Sequence, residues 1–213
     1  MHTMTRIGIA AAAALAIWLA ASGSTATTGA SEPPGTSPAN DRAAQIARGK
    51  YLVTIGSCND CHTPWKSAGP GKPAGPDMTR MLSGHPAGAP DPASELKGGD
   101  TAVVGPTFTA WRMPFGVAYT ANLTPDKDTG LGNWTEEMFV RALRTGRHMG
   151  GNGRVILPPM PWPLIGQMTD EDLKAVFAFL QSIPPVRNDV PPHKVPDAVI
   201  EQLTVETFGG HGP

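Results

Sequence analysis

The stretch Cys58-Asn59-Asp60-Cys61-His62 constrains this chain more than any other. Its spacing, Cys-x-x-Cys-His, is that of a c-type haem attachment site. Two thiols held about one helical turn apart can each add across a haem vinyl group, and the adjacent histidine then lies under the iron as its proximal ligand. Three rival readings are weaker. A structural zinc site normally takes four ligands, and the sequence has no second cysteine pair. A thioredoxin-like dithiol wants a βαβ context, whereas Thr63-Pro64 opens a stretch rich in proline and glycine. A disulfide between cysteines this close would close a very small loop and restrain little of the unfolded chain. One motif implies one haem c per chain, attached through Cys58 and Cys61, with His62 as proximal ligand.

The first thirty residues read as a targeting segment. Arg6 supplies a positive start, and residues 7–21 form an apolar run of fifteen. Small residues follow, with Ser24-Thr25-Ala26 and Thr28-Gly29-Ala30 as candidate cleavage sites. The run is short of the roughly 20 residues that a spanning helix needs, which favours a cleaved secretory signal peptide over an anchor. Export to the periplasm is the expectation, because bacteria attach haem c outside the cytoplasm. The expected divisions are a signal peptide over 1–30, a disordered linker over 31–40, a cytochrome c domain over 41–186 and a C-terminal tail over 187–213. The formal net charge of −1 gives no broad basic surface, and this argues against nucleic acid as a partner. With 25 glycines and 23 prolines, and aromatics at only 6%, a cofactor filling the core would help such a chain stay folded.

Asp41 can cap a helix in which Ile46, Gly49 and Val53 recur at helical spacing. Gly49 inside it costs roughly 1 kcal/mol against alanine and so points to a close helix crossing. Gly56 ends that helix just before the haem motif. Residues 63–76 read as a loop, 77–82 as a helical turn or two, and 86–107 as irregular, while 103–119 suits short extended pieces. A second helix is expected over 135–145, capped by Thr135, with Glu136 and Glu137 at its positive end and Gly146 as its C′ residue. Residues 150–166 are expected as loop. The last helix starts at Thr169, carries Leu173, Val176, Phe177 and Leu180 on one face, and stops at Pro184-Pro185. The tail from 186 onward is expected to hug the surface or fray.

The order helix, haem motif, long loop, helix, methionine-bearing loop, helix resembles the cytochrome c fold. The expected class is therefore mainly α, a few helices around a covalently attached haem with long Pro/Gly-rich loops. By that resemblance, Gly49 and Tyr51 meet Phe177 or Phe179 where the first and last helices cross. The words Ser83-Gly84-His85-Pro86, Ala121-Asn122-Leu123-Thr124-Pro125-Asp126, Gly132-Asn133-Trp134-Thr135 and Met160-Pro161-Trp162 are similar to those of one group. That group is the cytochrome c subunits of bacterial membrane-associated alcohol, gluconate and aldehyde dehydrogenases. The resemblance runs over about residues 42–190. Those subunits usually carry three Cys-x-x-Cys-His motifs, so this chain looks like a single-haem relative.

A low-spin electron-transfer haem takes a sixth ligand, and a thioether there favours Fe(II). Met160, between Pro159 and Pro161 and just before the last helix, is the leading candidate, and its Met-Pro-Trp word matches the ligand position of the resembling family. Met113 and Met149 stay open as loop alternatives, with His85 and His148 as histidine alternatives. Met138 and Met168 suit core packing, and Met78 and Met81 suit packing beside the ring. Gly75-Pro76-Asp77 resembles the segment whose proline carbonyl orients the proximal histidine in small cytochromes c, which makes Pro76 the expected acceptor. Trp134, Trp162, Tyr119, Asn122 and Arg154 are candidates to bond haem propionates. Arg141, Arg144, Arg147 and Arg154 concentrate positive charge and offer a docking patch.

The expected function is that of a one-electron carrier, not an enzyme. Its expected donor is a periplasmic dehydrogenase and its acceptor lies in the respiratory chain. Peripheral membrane association through such a complex is one arrangement. The alternatives are a peroxidase-like haem enzyme or a haem sensor, and both need an open sixth position.

Overall fold

The computed structural model describes residues 38–67, 69, 72–95, 102–151 and 153–203. The expected signal peptide, most of the linker, and the tail beyond 203 lie outside the described residues. Helix α1 (Pro38–Ile55) leads into a single turn, α2 (Cys58–His62), which is the Cys-x-x-Cys-His stretch itself. Strands β1 (Trp65–Ser67) and β2 (Pro73–Pro76) pair antiparallel, and a 3-10 turn follows at Met78–Arg80. Strands β3 (Val103–Val104), β4 (Ala110–Met113) and β5 (Gly116–Tyr119) form a small antiparallel sheet in sequence order. Helix α3 (Glu136–Thr145), a one-turn α4 (Trp162–Ile165), α5 (Asp170–Leu180) and α6 (Asp197–Gln202) complete the chain. No helix among the described residues is long and apolar enough to cross a membrane.

The helices begin and end where local chemistry directs them. Thr135 accepts from the Met138 N–H at 3.2 Å, and Gly146 closes α3 in the left-handed region at φ 65°. Thr169 caps α5 in the same way, accepting from the Asp172 N–H at 3.2 Å. Helix α1 starts at Pro38, ahead of the expected cap, so Asp41 serves instead as the acidic residue of the first turn. The last residues assigned to the linker, 38–40, are thus helical.

Helices α1 and α5 cross with their backbones in contact. A Cβ on Gly49 would stand 1.9 Å from the Ala175 carbonyl oxygen and 2.9 Å from the Phe179 Cβ. Arg48 reinforces the crossing with a two-pronged bond to Asp172 at 2.8 and 3.0 Å. Leu52, Val53, Phe139, Leu143, Leu173, Phe177, Phe179 and Leu180 build the main core beneath. Tyr51 is not at this crossing. It is 54% exposed, with the Arg48 guanidinium over its ring at 5.6 Å.

Three stretches differ from the sequence-based expectation. Residues 65–67 and 73–76 pair as a ribbon despite Pro73 and Pro76, because a two-stranded ribbon consists only of edges, where a missing N–H costs no ladder bond. The turn α4 lies inside the expected 150–166 loop. Residues 186–195 lie as a strap across the domain. The buried Asn188 side chain donates to the Ser83 and His85 carbonyls at 2.7 and 2.8 Å and accepts from the Ala87 N–H at 2.9 Å.

The crossing at residue 49 leaves no room for a methyl group. Gly49→Ala is expected to lose about 3 kcal/mol by overpacking, despite better helix propensity, and so to lower Tm by roughly 10 °C. Arg48→Ala, at the exposed pair, is expected to lose less than about 1 kcal/mol. Thermal unfolding of the two variants checks the ordering.

Candidate functional site

His62 closes α2 and points its ring into the protein, where it is 7% exposed. Its Nδ1 lies 2.8 Å from the Ala121 carbonyl oxygen. A carbonyl only accepts, so Nδ1 carries the proton and Nε2 keeps its lone pair. Burial lowers the pKa of the ring, and the bond to Ala121 opposes that shift only in part. The ring is therefore neutral and fixed in one tautomer, the state a metal-ligating histidine needs.

The partner of that ring is Ala121, not the expected Pro76. Pro76 sits on β2 opposite Trp65, and the Pro64 carbonyl there accepts from the Asp77 N–H at 2.8 Å. Two sequence words cooperate to place Ala121. The Gly84 N–H donates to the His62 carbonyl at 2.8 Å, the His85 N–H to Thr120 at 3.0 Å, and the Leu123 N–H to Leu82 at 2.9 Å. Gly84 lies so close to residue 121 that a Cβ would stand 2.6 Å from the Ala121 carbonyl carbon and oxygen, at a φ of +75°. Thr63 adds a further tie, with its hydroxyl donating to Asn59 at 2.8 Å and accepting from the Leu82 N–H at 2.9 Å.

His62 faces a cavity lined mainly by apolar side chains. Cys61 and His62 line it together with Leu131, Phe139, Leu143 and Met160. Met160 is the methionine that lines this cavity among the described residues. Met113 lies on β4, and Met149 is 51% exposed on the turn His148–Gly150, so neither alternative reaches the cavity. Cys58 packs against the main core beside the cavity, and burial pushes its thiol up to about 11. The Cys61 thiol is raised by burial as well. Neither cysteine is in a disulfide.

The remaining candidates divide. Trp134 and His148 line the cavity together, with their rings edge to face at 4.6 Å. Arg154 and Tyr119 also line it, while the Tyr119 hydroxyl is turned to Asp91 at 2.6 Å. Trp162 and Asn122 do not line it. Asn122 is engaged within the core, donating to the Val186 carbonyl at 2.8 Å and accepting from the Thr124 N–H at 3.0 Å. His85 lies in the loop after the Met78–Arg80 turn but is buried: it is 1% exposed, bonded to the Thr109 hydroxyl at 3.0 Å, and packed on Tyr119. The four arginines do not form one patch, because Arg144 bonds the Gly166 carbonyl and Asp170 while Arg154 turns to the cavity. The sequence reading missed Trp111 and His193, both on the cavity wall. No local signal marks His193, since it is brought there from far along the chain by the strap.

The residues fit a haem c on several counts. The cavity lining is mainly apolar, a tautomer-fixed imidazole and a thioether both belong to it, and two thiols precede the imidazole in sequence, Cys61 lining the cavity as well.

No family model matches the chain. The chain is 31% identical over 163 residues, 76% of its length, to a nicotinate dehydrogenase subunit of Pseudomonas putida. It is 31% identical over 149 residues, 70% of its length, to the gluconate 2-dehydrogenase cytochrome c subunit of Pantoea cypripedii. It is 30% identical over 144 residues, 67% of its length, to the cytochrome c subunit of the quinone-type alcohol dehydrogenase of Gluconobacter oxydans. These alignments take in 10%, 25% and 22% of the three relatives respectively, so the chain matches one stretch of each.

Gly84→Ala is expected to displace the Ala121 carbonyl from His62, because the new methyl group meets backbone at 2.6 Å in a left-handed conformation. A loss of about 2 kcal/mol is expected. The variant should also lose the protected His62 Nδ1–H resonance in proton NMR. Retention of that resonance at wild-type stability would remove Gly84 from the support of His62.

Proposed function

Because the chain is homologous to a stretch of the cytochrome c subunits of bacterial alcohol, gluconate and fructose dehydrogenases, we propose that it is an exported cytochrome c with a single haem that carries one electron at a time. Its donor in this reading is a periplasmic dehydrogenase and its acceptor a component of the respiratory chain. The observation that carries the reading is His62, held by the Ala121 carbonyl, facing the same apolar cavity as Met160. The single Cys-x-x-Cys-His motif supports one haem per chain. The signal-like residues 1–30 support export, with 41–186 as the haem domain and 187–213 as its C-terminal extension.

A haem c supplies reversible one-electron chemistry at its iron. In this reading Cys58 and Cys61 would hold it covalently and His62 Nε2 would ligate the iron. Met160 would supply a second ligand, and a thioether donor would favour the reduced state. Trp134, Leu131, Phe139 and Leu143 exclude water from the ring. The relatives are cytochrome subunits of dehydrogenases, and this supports an electron-transfer subunit rather than a catalyst. His148, on the same cavity wall, carries a second reading in which two histidines ligate the iron.

Visible spectra of the purified protein, with and without carbon monoxide, separate these readings. Wild type is expected to show a low-spin reduced spectrum indifferent to carbon monoxide, with a thioether-to-iron band when oxidised. Met160→Ala is expected to lose that band and to bind carbon monoxide. If His148→Ala has this effect and Met160→Ala does not, the ligand is His148. A wild-type protein that is high-spin and binds carbon monoxide readily is a catalyst or a sensor.

A further inference from the structure

The lining of the cavity includes several hydrogen-bond donors. Trp111, Arg154, His148 and His193 all line it. The Trp111 Nε1–H is shut off from solvent and has no acceptor among the described residues. The tautomer of His193 follows from its partner: the backbone N–H of Tyr119 donates to its Nδ1 at 3.1 Å. A neutral imidazole carries one proton, so that proton sits on Nε2. The Arg154 guanidinium is set against this same Nε2. An arginine cannot accept, so with this tautomer neither donor satisfies the other.

The protein supplies no such acceptor from its own acids among the described residues. Asp91, the carboxylate on this part of the sheet, is taken by the Tyr119 hydroxyl at 2.6 Å and by Lys194 at 2.6 Å. Arg154 is exposed where it lines the cavity, and burial with the nearby Arg154 charge pushes His193 down to about 4, so that its ring is neutral and the guanidinium is the cation of the group.

We infer that Trp111, Arg154 and His193 form an anion subsite for a carboxylate of the cofactor in this cavity, a haem propionate, so that the strap after α5 is part of the cofactor site. This inference rests on the haem-carrier reading above. The geometry matches the chemistry: the guanidinium presents a planar fork to a carboxylate, and the Trp111 and His193 N–H groups are free to add to it. The strap is fitted for the task. The Val117 N–H donates to the Lys194 carbonyl at 3.0 Å, and the Lys194 N–H returns the bond at 2.9 Å, which pins residue 193 beside β5. Gly116 allows this approach, since a Cβ there would stand 2.3 Å from the Lys194 oxygen.

Such a subsite keeps the propionate ionised and so sets how the reduction potential depends on pH. The titratable or charged groups that face it are Arg154, His193 and His148, with Tyr119, Asp91 and Lys194 bonded to one another beyond. The test is the midpoint potential of the holoprotein against pH. Wild type is expected to be flat around neutral pH, because the donors hold the propionate pKa low. Arg154→Gln raises that pKa, and the potential then falls with pH through the new value. Trp111→Phe removes one donor with little change in volume and is expected to give a smaller bend of the same sign. His193→Gln keeps a donor and an acceptor without titrating and should remain flat, whereas His193→Phe should bend the curve.

Unchanged curves in Arg154→Gln and Trp111→Phe would overturn the subsite. So would a uniform drop in potential with an unaltered pH profile in Arg154→Gln, since that reports only the loss of a distant charge. Wild-type protein that matures without covalent haem would overturn the carrier reading itself, and its absorbance shows this before any potential is measured.

Discussion

The bond between His62 Nδ1 and the Ala121 carbonyl is the contact on which the rest of the site depends. A buried imidazole without a partner would cost on the order of 2 kcal/mol and could occupy either tautomer. Bonded to a carbonyl, it is neutral, oriented, and left with one outward lone pair. Holding that carbonyl in place is a backbone problem, and residues 82–85 meet it by binding residue 62 with one N–H and residue 120 with the next. Two of the sequence words that mark this chain as a cytochrome relative, residues 83–86 and 121–126, therefore do backbone work. They are the splint around one acceptor.

With 25 glycines and 23 prolines, the chain cannot cover its buried polar groups by ladders alone. Side-chain amides and hydroxyls take over that work. Asn188 satisfies three backbone groups at residues 83, 85 and 87, and Asn122 and Thr124 tie residue 186 to the loop beside the site. Each bond is worth only about 1 kcal/mol net, but removing one partner leaves a buried group unsatisfied and costs more. The loops and the strap thus stand or fall together, and this makes a pocket walled by irregular backbone rigid enough to orient a cofactor.

Much of this was legible from local chemistry. Gly49 at a crossing, Thr135 and Thr169 as caps, and Gly146 as a terminator follow from rules that act within one or two turns. The attachment motif is likewise local, and the structure places His62 and Met160 on one cavity. What depended on long-range pairing was not legible. Pro76 resembled the expected acceptor, yet a ribbon between 65–67 and 73–76 claims that segment and a strand end far along the chain supplies Ala121 instead. His193 sits in a polar, proline-rich stretch without periodicity, and only the bridge between Lys194 and Val117 brings it to the wall. Tyr51 belongs to the same class of miss, because helical spacing places a residue on a face but not on the buried half of it.

Arg144 and Arg154 show why a charge count says little about a site. Both belong to the same basic run, and in the sequence they are equivalent. Arg144 ends α3 and meets the Gly166 carbonyl and Asp170 at the surface, where its charge is balanced and its pair contributes little. Arg154 instead lines the cavity, set against His193, stays exposed there and has no carboxylate partner among the described residues. A cation in that position is open to an anionic group of whatever fills the cavity. The cavity is therefore asymmetric. Its apolar depth and His62 suit the ring and metal of a prosthetic group, and its cationic rim suits that group's acid. The two demands together describe an amphipathic cofactor better than either does alone.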